Sequence, residues 1–167
     1  MKVGPDTTIA DAHEWANGEF PKMLVRVLRQ MEDGTLQTWV QDDSEACYYP
    51  RRFPDDGMIL WDQLTAQQVH DRTRGLTKPY PCARTFLRNR QVRLIKSEFP
   101  KIPFRGEAGR IYRKVDGRLL VSALDQAIWI NEAEFVDDES SLYEGVELYA
   151  CLATVKEAAI NHYRNLA

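Results

Sequence analysis

Four short apolar segments, separated by turn residues, crowd into the stretch between residues 90 and 136. They predict strands over residues 92–95, 110–115, 118–123 and 127–136. Asp116-Gly117 is a strong two-residue hairpin signal, because both residue types accept a positive φ. Several strands in about fifty residues favour a small sheet or an incomplete barrel of the oligonucleotide-binding type.

The amino-terminal third has a helical pattern. Thr7 and Thr8 can cap a short helix that Gly18 closes. A second helix begins at Pro21, which a first helical turn tolerates, and ends before Gly34. Its apolar residues recur at three- and four-residue steps, at Met23, Leu24, Val27, Leu28 and Met31. This spacing predicts a helix with one apolar face, which a structural role suffices to explain.

The middle of the chain alternates between polar loops and one further helix. Residues 36–40 predict a brief strand, and residues 41–57 predict an ordered, polar loop. Thr65 followed by Gln68 resembles a capping box, so a helix begins there. That helix ends sharply before Pro79, because the residue preceding a proline disfavours helical geometry.

Together these elements predict an α+β fold in one compact unit. Residues 1–40 form a helical segment, residues 41–89 a linker loop and helix, and residues 90–167 a small β domain ending in an amphipathic helix at 151–166. No apolar run approaches the roughly 20 residues that span a bilayer, and no signal or transit peptide is visible. We therefore expect a soluble, cytoplasmic protein without membrane contact.

The charge is unevenly distributed along the chain. Fourteen basic residues face three acidic ones between residues 72 and 118, a net +11, whereas the remainder carries −14 within a total of −3. One interpretation is a surface that meets phosphate. Its candidate nucleic-acid-binding residues are Arg88, Arg90, Arg93, Lys96 and Lys114. The alternative is a solvated strand face neutralised by acidic neighbours such as Asp137, Asp138 and Glu139.

Candidates for metal binding or catalysis are sparse. The relevant residues are Cys47, Cys82, Cys151, His13, His70 and His162. None of them has the spacing of a metal site, so no metal ligand is predicted. Cys82 with His70 lacks a third, orienting group, which disfavours nucleophilic catalysis. Asp55 and Asp56 could act as an acid–base pair, but acidic residues before a glycine are more often turn formers.

Residues 41 to 85 contain unusual residues in a recognisable order. They are Gln41, Tyr49, Pro54-Asp55-Asp56-Gly57-Met58-Ile59-Leu60-Trp61, Arg74-Gly75-Leu76 and Pro79-Tyr80-Pro81-Cys82-Ala83. This order resembles the formyltransferase family, which includes methionyl-tRNA and sugar N-formyltransferases. There a Pro-Glu-Asp-Gly loop runs into Ile-x-Trp, and a Pro-Tyr-Pro-Gly-Ala turn leads into the carboxy-terminal domain. Cys82 replaces the usual glycine, and Asp55 the commoner glutamate.

The resemblance implies the carboxy-terminal, accessory part of a 10-formyltetrahydrofolate-dependent formyltransferase, without the Rossmann lobe. That lobe carries the family's catalytic Asn-x-His and folate site, and Asn161-His162 here is adjacent instead. We therefore expect no catalytic residue and no bound folate in this chain, and a separate catalytic lobe as partner. The resemblance places substrate-binding candidates at the junction with that lobe: Arg74, Tyr80, Asp55, Asp56 and Trp61. For Arg74, a structural salt bridge is an equal alternative.

Two other functions stay open from the sequence. The basic β domain could be a stand-alone module that binds RNA, tRNA or another polyanion, with affinity that falls steeply as salt rises. Alternatively, apolar surface left uncovered by the missing lobe could form a homodimer. The acceptor amine, on tRNA, a nucleotide sugar or another molecule, is not specified by these residues.

Overall fold

A computed structural model describes residues 1–155, and within them an α+β fold is present as predicted. The elements are α1 (Ile9–Glu32), α2 (Ala66–Leu76), β1 (Ala83–Leu87), β2 (Arg90–Glu98), β3 (Ile111–Val115), β4 (Arg118–Ser122), β5 (Ala127–Phe135) and α3 (Leu142–Gly145). The strands form an antiparallel sheet in the order β1-β2-β5-β4-β3. Most of the predicted terminal helix lies outside the described residues.

The segment 149–153 connects the two edge strands of this sheet. On the β3 side, the Leu152 amide donates to the Gly109 carbonyl at 2.8 Å, and on the β1 side the Ala153 amide donates to the Phe86 carbonyl at 2.9 Å. The segment pairs with both edges and so closes the sheet into a small barrel. Closure also satisfies backbone groups that an open edge would leave unpaired.

The barrel interior holds the hydrophobic core. Alternate residues of β4 and β5 point inward, and helix α2 and the segment before it close one end. Fully buried members include Ile59, Trp61, Val69, Val92, Leu94, Ile111, Leu119, Val121, Ile128, Ile130, Phe135, Leu142 and Leu152. The core therefore belongs to the barrel and the elements wrapped around it.

The predicted hairpin joins β3 to β4. Asp116 and Gly117 have φ values of 50° and 77°, as a two-residue turn with left-handed geometry requires. The four predicted strands are all present, with small shifts of their ends. Strand β1 was not predicted, because it follows the Pro-Tyr-Pro turn directly and its five residues include two polar ones.

The two predicted amino-terminal helices are a single helix, so that division was wrong. Thr8 caps α1 as predicted, with a capping box to Asp11, and the helix then continues for 24 residues through Gly18 and Pro21. A glycine costs a helix only about 1 kcal/mol relative to alanine, and a proline removes one hydrogen bond without forcing a stop. The helix ends before Gly34, which has a φ of 66°.

The predicted strand over residues 36–40 is absent. These residues have extended or irregular backbone without a partner strand, and Trp39 and Val40 are 88% and 95% exposed. An alternating sequence forms a strand only where a neighbour can pair with it.

The predicted capping box at Thr65 is confirmed, and α2 ends before Pro79 as expected.

Candidate functional site

A pocket of about 530 Å³ lies where the start of α1 meets the end of α2. Two turns complete its wall, one over residues 52–57 and the other over residues 80–82. We call it the junction pocket. Its lining residues are Ile9, Arg52, Phe53, Asp56, Gly57, Gly75, Leu76, Tyr80, Pro81 and Cys82. The pocket thus joins two segments singled out in the sequence, the Asp-Asp-Gly loop and the Pro-Tyr-Pro turn.

Local backbone geometry shapes this pocket. Cys82 has a φ of 65°, a left-handed conformation that favours glycine, and its amide donates to the Leu76 carbonyl at 2.9 Å. The turn therefore folds back onto the end of α2. A Cβ atom built on Gly57 would meet the Leu76 side chain at 3.1 Å, whereas one on Gly75 would meet nothing within 4 Å.

The two adjacent aspartates have different roles. The Asp56 carboxylate accepts a hydrogen bond from the Phe53 amide at 2.7 Å, so it caps its own turn. This contact agrees with the turn-forming interpretation. Asp55 is exposed, and its carbonyl accepts from the Met58 amide at 3.1 Å. Of the two, Asp56 lines the junction pocket.

The two aromatic candidates lie in contrasting surroundings. Tyr80 is 44% exposed, and its hydroxyl oxygen lies 3.3 Å from His13 Nε2 on α1. Trp61 is fully buried, and its Nε1 donates to Thr85 Oγ1 at 3.1 Å. In this structure Trp61 is a core residue that no substrate reaches, which corrects its assignment as a binding residue. The burial of Trp61 depends on the closed barrel, and the local sequence motif around Trp61 does not reveal that closure.

Arg74 is held entirely within the chain. Its Nε and Nη2 each lie 2.8 Å from Asp71 Oδ1, and its Nη1 donates to the Thr7 carbonyl at 2.8 Å. Burial alone would raise the pKa of Asp71, but hydrogen bonds from Gln67 and Arg74 outweigh it and lower that pKa. Arg74 therefore matches the structural salt bridge that its sequence context left as an alternative.

His70 lies one helical turn before Arg74 and contacts the same segment. It is 2% exposed, its Nε2 donates to the Pro5 carbonyl at 3.2 Å, and its Nδ1 lies 3.0 Å from Ser97 Oγ. Two side chains of α2 thus hold the backbone that leads into α1. Both also line a separate cavity of about 760 Å³.

Cys82 and His70 do not form a catalytic pair. The imidazole is engaged by Pro5 and Ser97, and the Cys82 thiol donates to the Tyr80 carbonyl at 3.7 Å. Burial raises the pKa of the Cys82 thiol, which keeps it protonated and unreactive. Within residues 1–155, no group of three His, Cys, Asp or Glu side chains could hold a metal ion.

Most of the candidate phosphate-binding residues have partners inside the fold. Arg90 pairs with Asp137 at 2.7 Å and Asp138 at 2.8 Å, and its hydrogen bond to Asp137 lowers the pKa of that carboxyl. Arg93 pairs with Glu134 at 3.1 Å and Glu139 at 3.0 Å. The predicted neutralisation by acidic neighbours is therefore present at these two arginines.

The remaining three candidates differ from one another. The Lys114 ammonium donates to the Val146 carbonyl at 2.7 Å and lies 4.8 Å from the centre of the Tyr143 ring. Arg88 and Lys96 are exposed, and neither forms an ion pair within the described part of the chain. The five residues therefore do not form one free basic surface.

A second group of cations, not predicted from the sequence, lies along a groove of about 580 Å³ on the barrel. Strand register sets Arg113 opposite Leu120, Leu120 opposite Trp129, and Trp129 opposite Glu98. Arg113 and Lys101 line this barrel groove, are exposed and form no ion pair within residues 1–155. Sequence could not group them, because a bulge between Ile111 and Arg113 shifts the register.

No helix within the described residues has the length and apolar character needed to cross a membrane.

The family model described as "Formyl transferase, C-terminal domain" matches residues 52–141, which include α2 and all five strands. This match covers more than half of the chain, and it confirms the family resemblance found in the Asp-Asp-Gly and Pro-Tyr-Pro segments.

Curated relatives are methionyl-tRNA formyltransferases. The protein of Chlamydia caviae is 35% identical over 85 residues, which cover 51% of this chain and 26% of that protein. The protein of Acetivibrio thermocellus is 27% identical over 161 residues, covering 96% of this chain and 50% of the relative. The chain thus spans a quarter to a half of these relatives' length.

Solved structures with a similar fold include HypX from Aquifex aeolicus. One variant superposes with a TM-score of 0.63 at 18% identity, over 84% of this chain and 25% of HypX. HypX in complex with tetrahydrofolic acid gives 0.56 at 19% identity, over 72% of this chain and 20% of HypX. At these identities the likeness concerns the fold.

Proposed function

Because this chain belongs to the formyl transferase C-terminal domain family, we propose that it is the accessory half of a folate-dependent formyl-transfer system. Catalysis is then supplied by a lobe outside these residues. The observation that carries the proposal is the extent of the matches: the family model covers α2 and all five strands, and the chain spans only a quarter to a half of its enzyme relatives. The absence of Asn-x-His from the sequence supports it.

The junction pocket is the proposed point of contact with the acceptor site. Tyr80 and Asp56 line it, and Asp55 stands beside it on the same turn. Pocket walls that are mainly apolar with a few polar groups suit the recognition of a small acceptor moiety. Arg74 is better suited to positioning, because Nε, Nη1 and Nη2 are all engaged by Asp71 and Thr7.

The formyl donor, 10-formyltetrahydrofolate, is proposed to bind the catalytic lobe. The polar side chains of the junction pocket are those of Arg52, Asp56 and Tyr80, and Asp56 already accepts from the Phe53 amide. A pterin ring presents several donors and acceptors along one edge, and this set does not match them. The junction pocket therefore does not fit the folate.

The proposal is tested by a formyl-transfer assay with 10-formyltetrahydrofolate and a panel of amine acceptors, including methionyl-tRNA and amino sugars. The chain is assayed alone and mixed with the half of the Acetivibrio thermocellus protein that lies outside the match. We expect turnover only in the mixture, above that of the catalytic half alone. Turnover by the chain alone would contradict an accessory role.

A point variant tests the junction pocket in the same mixture. Tyr80→Ala should lower kcat/KM for the acceptor, because it removes the exposed ring and its contact with His13. Tyr48→Ala is a matched control, since Tyr48 is 86% exposed and does not line the pocket. Equal effects of the two substitutions would remove the junction pocket from the acceptor site.

A polyanion-binding module is the second candidate, and the barrel groove favours it. Arg113 and Lys101 supply cations that form no ion pair within residues 1–155, and Trp129 and Phe104 supply aromatic surface. Single-stranded nucleic acids bind such combinations through phosphate contacts and base stacking.

Binding to a fluorescent RNA oligonucleotide at several salt concentrations measures this second candidate. Arg113→Gln should weaken binding and reduce its salt dependence by about one charge. Arg90→Gln, whose guanidinium is already paired with Asp137 and Asp138, should have a smaller effect. Absence of salt-dependent binding in the unmodified chain would eliminate the module as a function.

A further inference from the structure

The walls of the junction pocket are fixed by bonds within the chain. Arg72 on α2 donates from its Nη1 to the Met58 carbonyl at 2.9 Å, which ties the turn before Met58 to the helix. The Cys82 amide donates to the Leu76 carbonyl at 2.9 Å, which ties the second turn to the end of the same helix. Because both turns are bonded to α2, the space between them is formed before any ligand arrives.

Gly75 keeps one side of this pocket open. It lies within α2, three residues after Arg72, so both residues lie on the side of the helix that faces the 52–57 turn. A Cβ atom built on Gly75 has no atom within 4 Å, whereas one on Gly57 meets the Leu76 side chain at 3.1 Å. Packing therefore accounts for Gly57 but not for Gly75. A glycine inside a helix costs stability relative to alanine, and at this position it leaves space in the pocket.

The polar groups of the pocket leave one cation available to a ligand. The Asp56 carboxylate accepts from the Phe53 amide, and the Tyr80 hydroxyl oxygen lies 3.3 Å from His13 Nε2. Arg52 is exposed and forms no ion pair within the described part of the chain. A guanidinium can donate two parallel hydrogen bonds to a carboxylate or a phosphate. The pocket thus offers one free positive group beside apolar walls.

We propose that the junction pocket binds a small molecule with an apolar body and an anionic head. The head lies at Arg52, and the body packs against Ile9, Leu76 and Pro81. The volume of about 530 Å³ falls within the range of about 300–1,000 Å³ that is usual for small-molecule sites. This inference deepens the proposed function and rests on it in one respect, that the bound molecule is part of the amine acceptor.

Binding is measured on the full chain with three probes that share a six-carbon body: hexanoate, hexyl phosphate and hexan-1-ol. The amides of Gly57 and Gly75 report on the pocket in ¹⁵N-resolved NMR spectra. Both anions should shift these amides saturably at millimolar concentrations, and hexan-1-ol should bind at least about threefold more weakly. The tighter of the two anions identifies the head as carboxylate or phosphate. Equal binding of all three probes would overturn the anionic head, and no saturable shift would overturn the site.

A matched pair of arginine variants tests the head. Arg52→Gln should weaken binding of the tighter anion by about fivefold to tenfold, because it removes the only free cation named in the pocket. Arg51→Gln removes the same charge from an exposed neighbour that does not line the pocket, and it should change binding by less than about twofold. Equal effects of the two substitutions would show that the anion responds to net charge and not to a site.

A matched pair of glycine variants tests the body. Gly75→Leu should fill the pocket and weaken binding by about tenfold. Gly18→Leu is the control, because Gly18 is also a helical glycine with nothing within 4 Å of its Cβ, but it lies in α1 outside the pocket. Leucine is a better helix former than glycine, so both variants should fold, which thermal unfolding checks. Unchanged binding in Gly75→Leu would overturn the placement of the apolar body.

Formyl transfer in the mixture with the catalytic half of the Acetivibrio thermocellus relative separates this inference from the proposed function. The tighter anion should inhibit transfer by competition with the acceptor. Binding to the chain with transfer unaffected by the anion would overturn the link between the pocket and the acceptor. Transfer in the mixture without any probe binding would overturn the ligand site and leave the accessory function standing. Probe binding without transfer in the mixture would overturn the accessory function and leave the ligand site standing.

Discussion

The barrel and helix α1 use apolar residues in opposite ways. In the barrel, Leu94 on β2 is fully buried, whereas Leu24 on α1 is 60% exposed although its neighbours repeat with regular helical spacing. Both patterns are amphipathic in the sequence. The comparison shows that periodicity in the sequence identifies which face of an element is apolar, but not what packs against that face. In the barrel, other elements of this chain pack against the apolar faces, whereas no residue of α1 is buried within the described part of the chain.

Leu94→Ala should produce the largest loss of stability. A buried leucine truncated to alanine loses transfer energy and leaves a cavity, at a cost of about 2–5 kcal/mol. We expect a lower midpoint in urea unfolding, followed by fluorescence of the tryptophans. A loss below about 1 kcal/mol would show that the barrel core tolerates the cavity and that its packing is looser than the burial of Leu94 indicates.

Gly109→Ala tests the closure of the barrel. Gly109 has a φ of 81°, and an added Cβ would lie 2.6 Å from the Leu152 carbonyl oxygen that belongs to the connecting segment. We expect a loss of roughly 1–3 kcal/mol from crowding and backbone strain. Gly117→Ala is the control, because Gly117 has a similar φ of 77° but nothing within 4 Å of its Cβ. Equal losses would mean that closure contributes little.

The Arg90 ion pairs should give a smaller, pH-dependent effect. The hydrogen bond from Arg90 lowers the pKa of Asp137 below its ordinary value of 3.8, so the folded state favours the ionised carboxyl. The resulting stabilisation is present above the ordinary pKa and is lost as pH falls through the lowered one. Arg90→Gln should therefore flatten the decline of thermal stability below about pH 4. An unchanged decline would assign acid sensitivity to other carboxyls.

Leu24→Ala should have the smallest effect on this chain alone. The side chain is exposed, and alanine is the best helix former, so the change in the free energy of unfolding should stay within about 0.5 kcal/mol. The same change from leucine to alanine should therefore cost much stability at Leu94 in the barrel and little at Leu24 in α1, which distinguishes the two regions. A loss comparable to that of Leu94→Ala would show that the apolar face of α1 around Leu24 is covered in solution, and would weaken the contrast.

Local signals in the sequence predicted elements well where neighbouring residues decide the structure. The Thr65 capping box, the Asp116-Gly117 turn and the four strands after residue 90 are all present. The strand predicted over residues 36–40 failed because strands depend on partners. The division of α1 failed because Gly18 and Pro21 weaken a helix without ending it.

The candidate site was predicted less completely. Tyr80 and Asp56 do share a pocket, but Trp61 is buried and Arg74 is engaged by Asp71 and Thr7. A motif specifies which residue types occur together, and it does not specify which side of a closed barrel each one faces. The pairing of arginines with distant acidic residues was foreseen as one of two alternatives.

The sequence by itself determined the family, the four strands after residue 90 and several of the caps and turns, because these depend on residues close together in the chain. Only the tertiary structure decided that segment 149–153 closes the barrel, that Arg113 and Trp129 share a groove, and that the apolar side chains of α1 stay exposed among the described residues. These features depend on contacts between residues far apart in the chain, and the total energy of packing selects them.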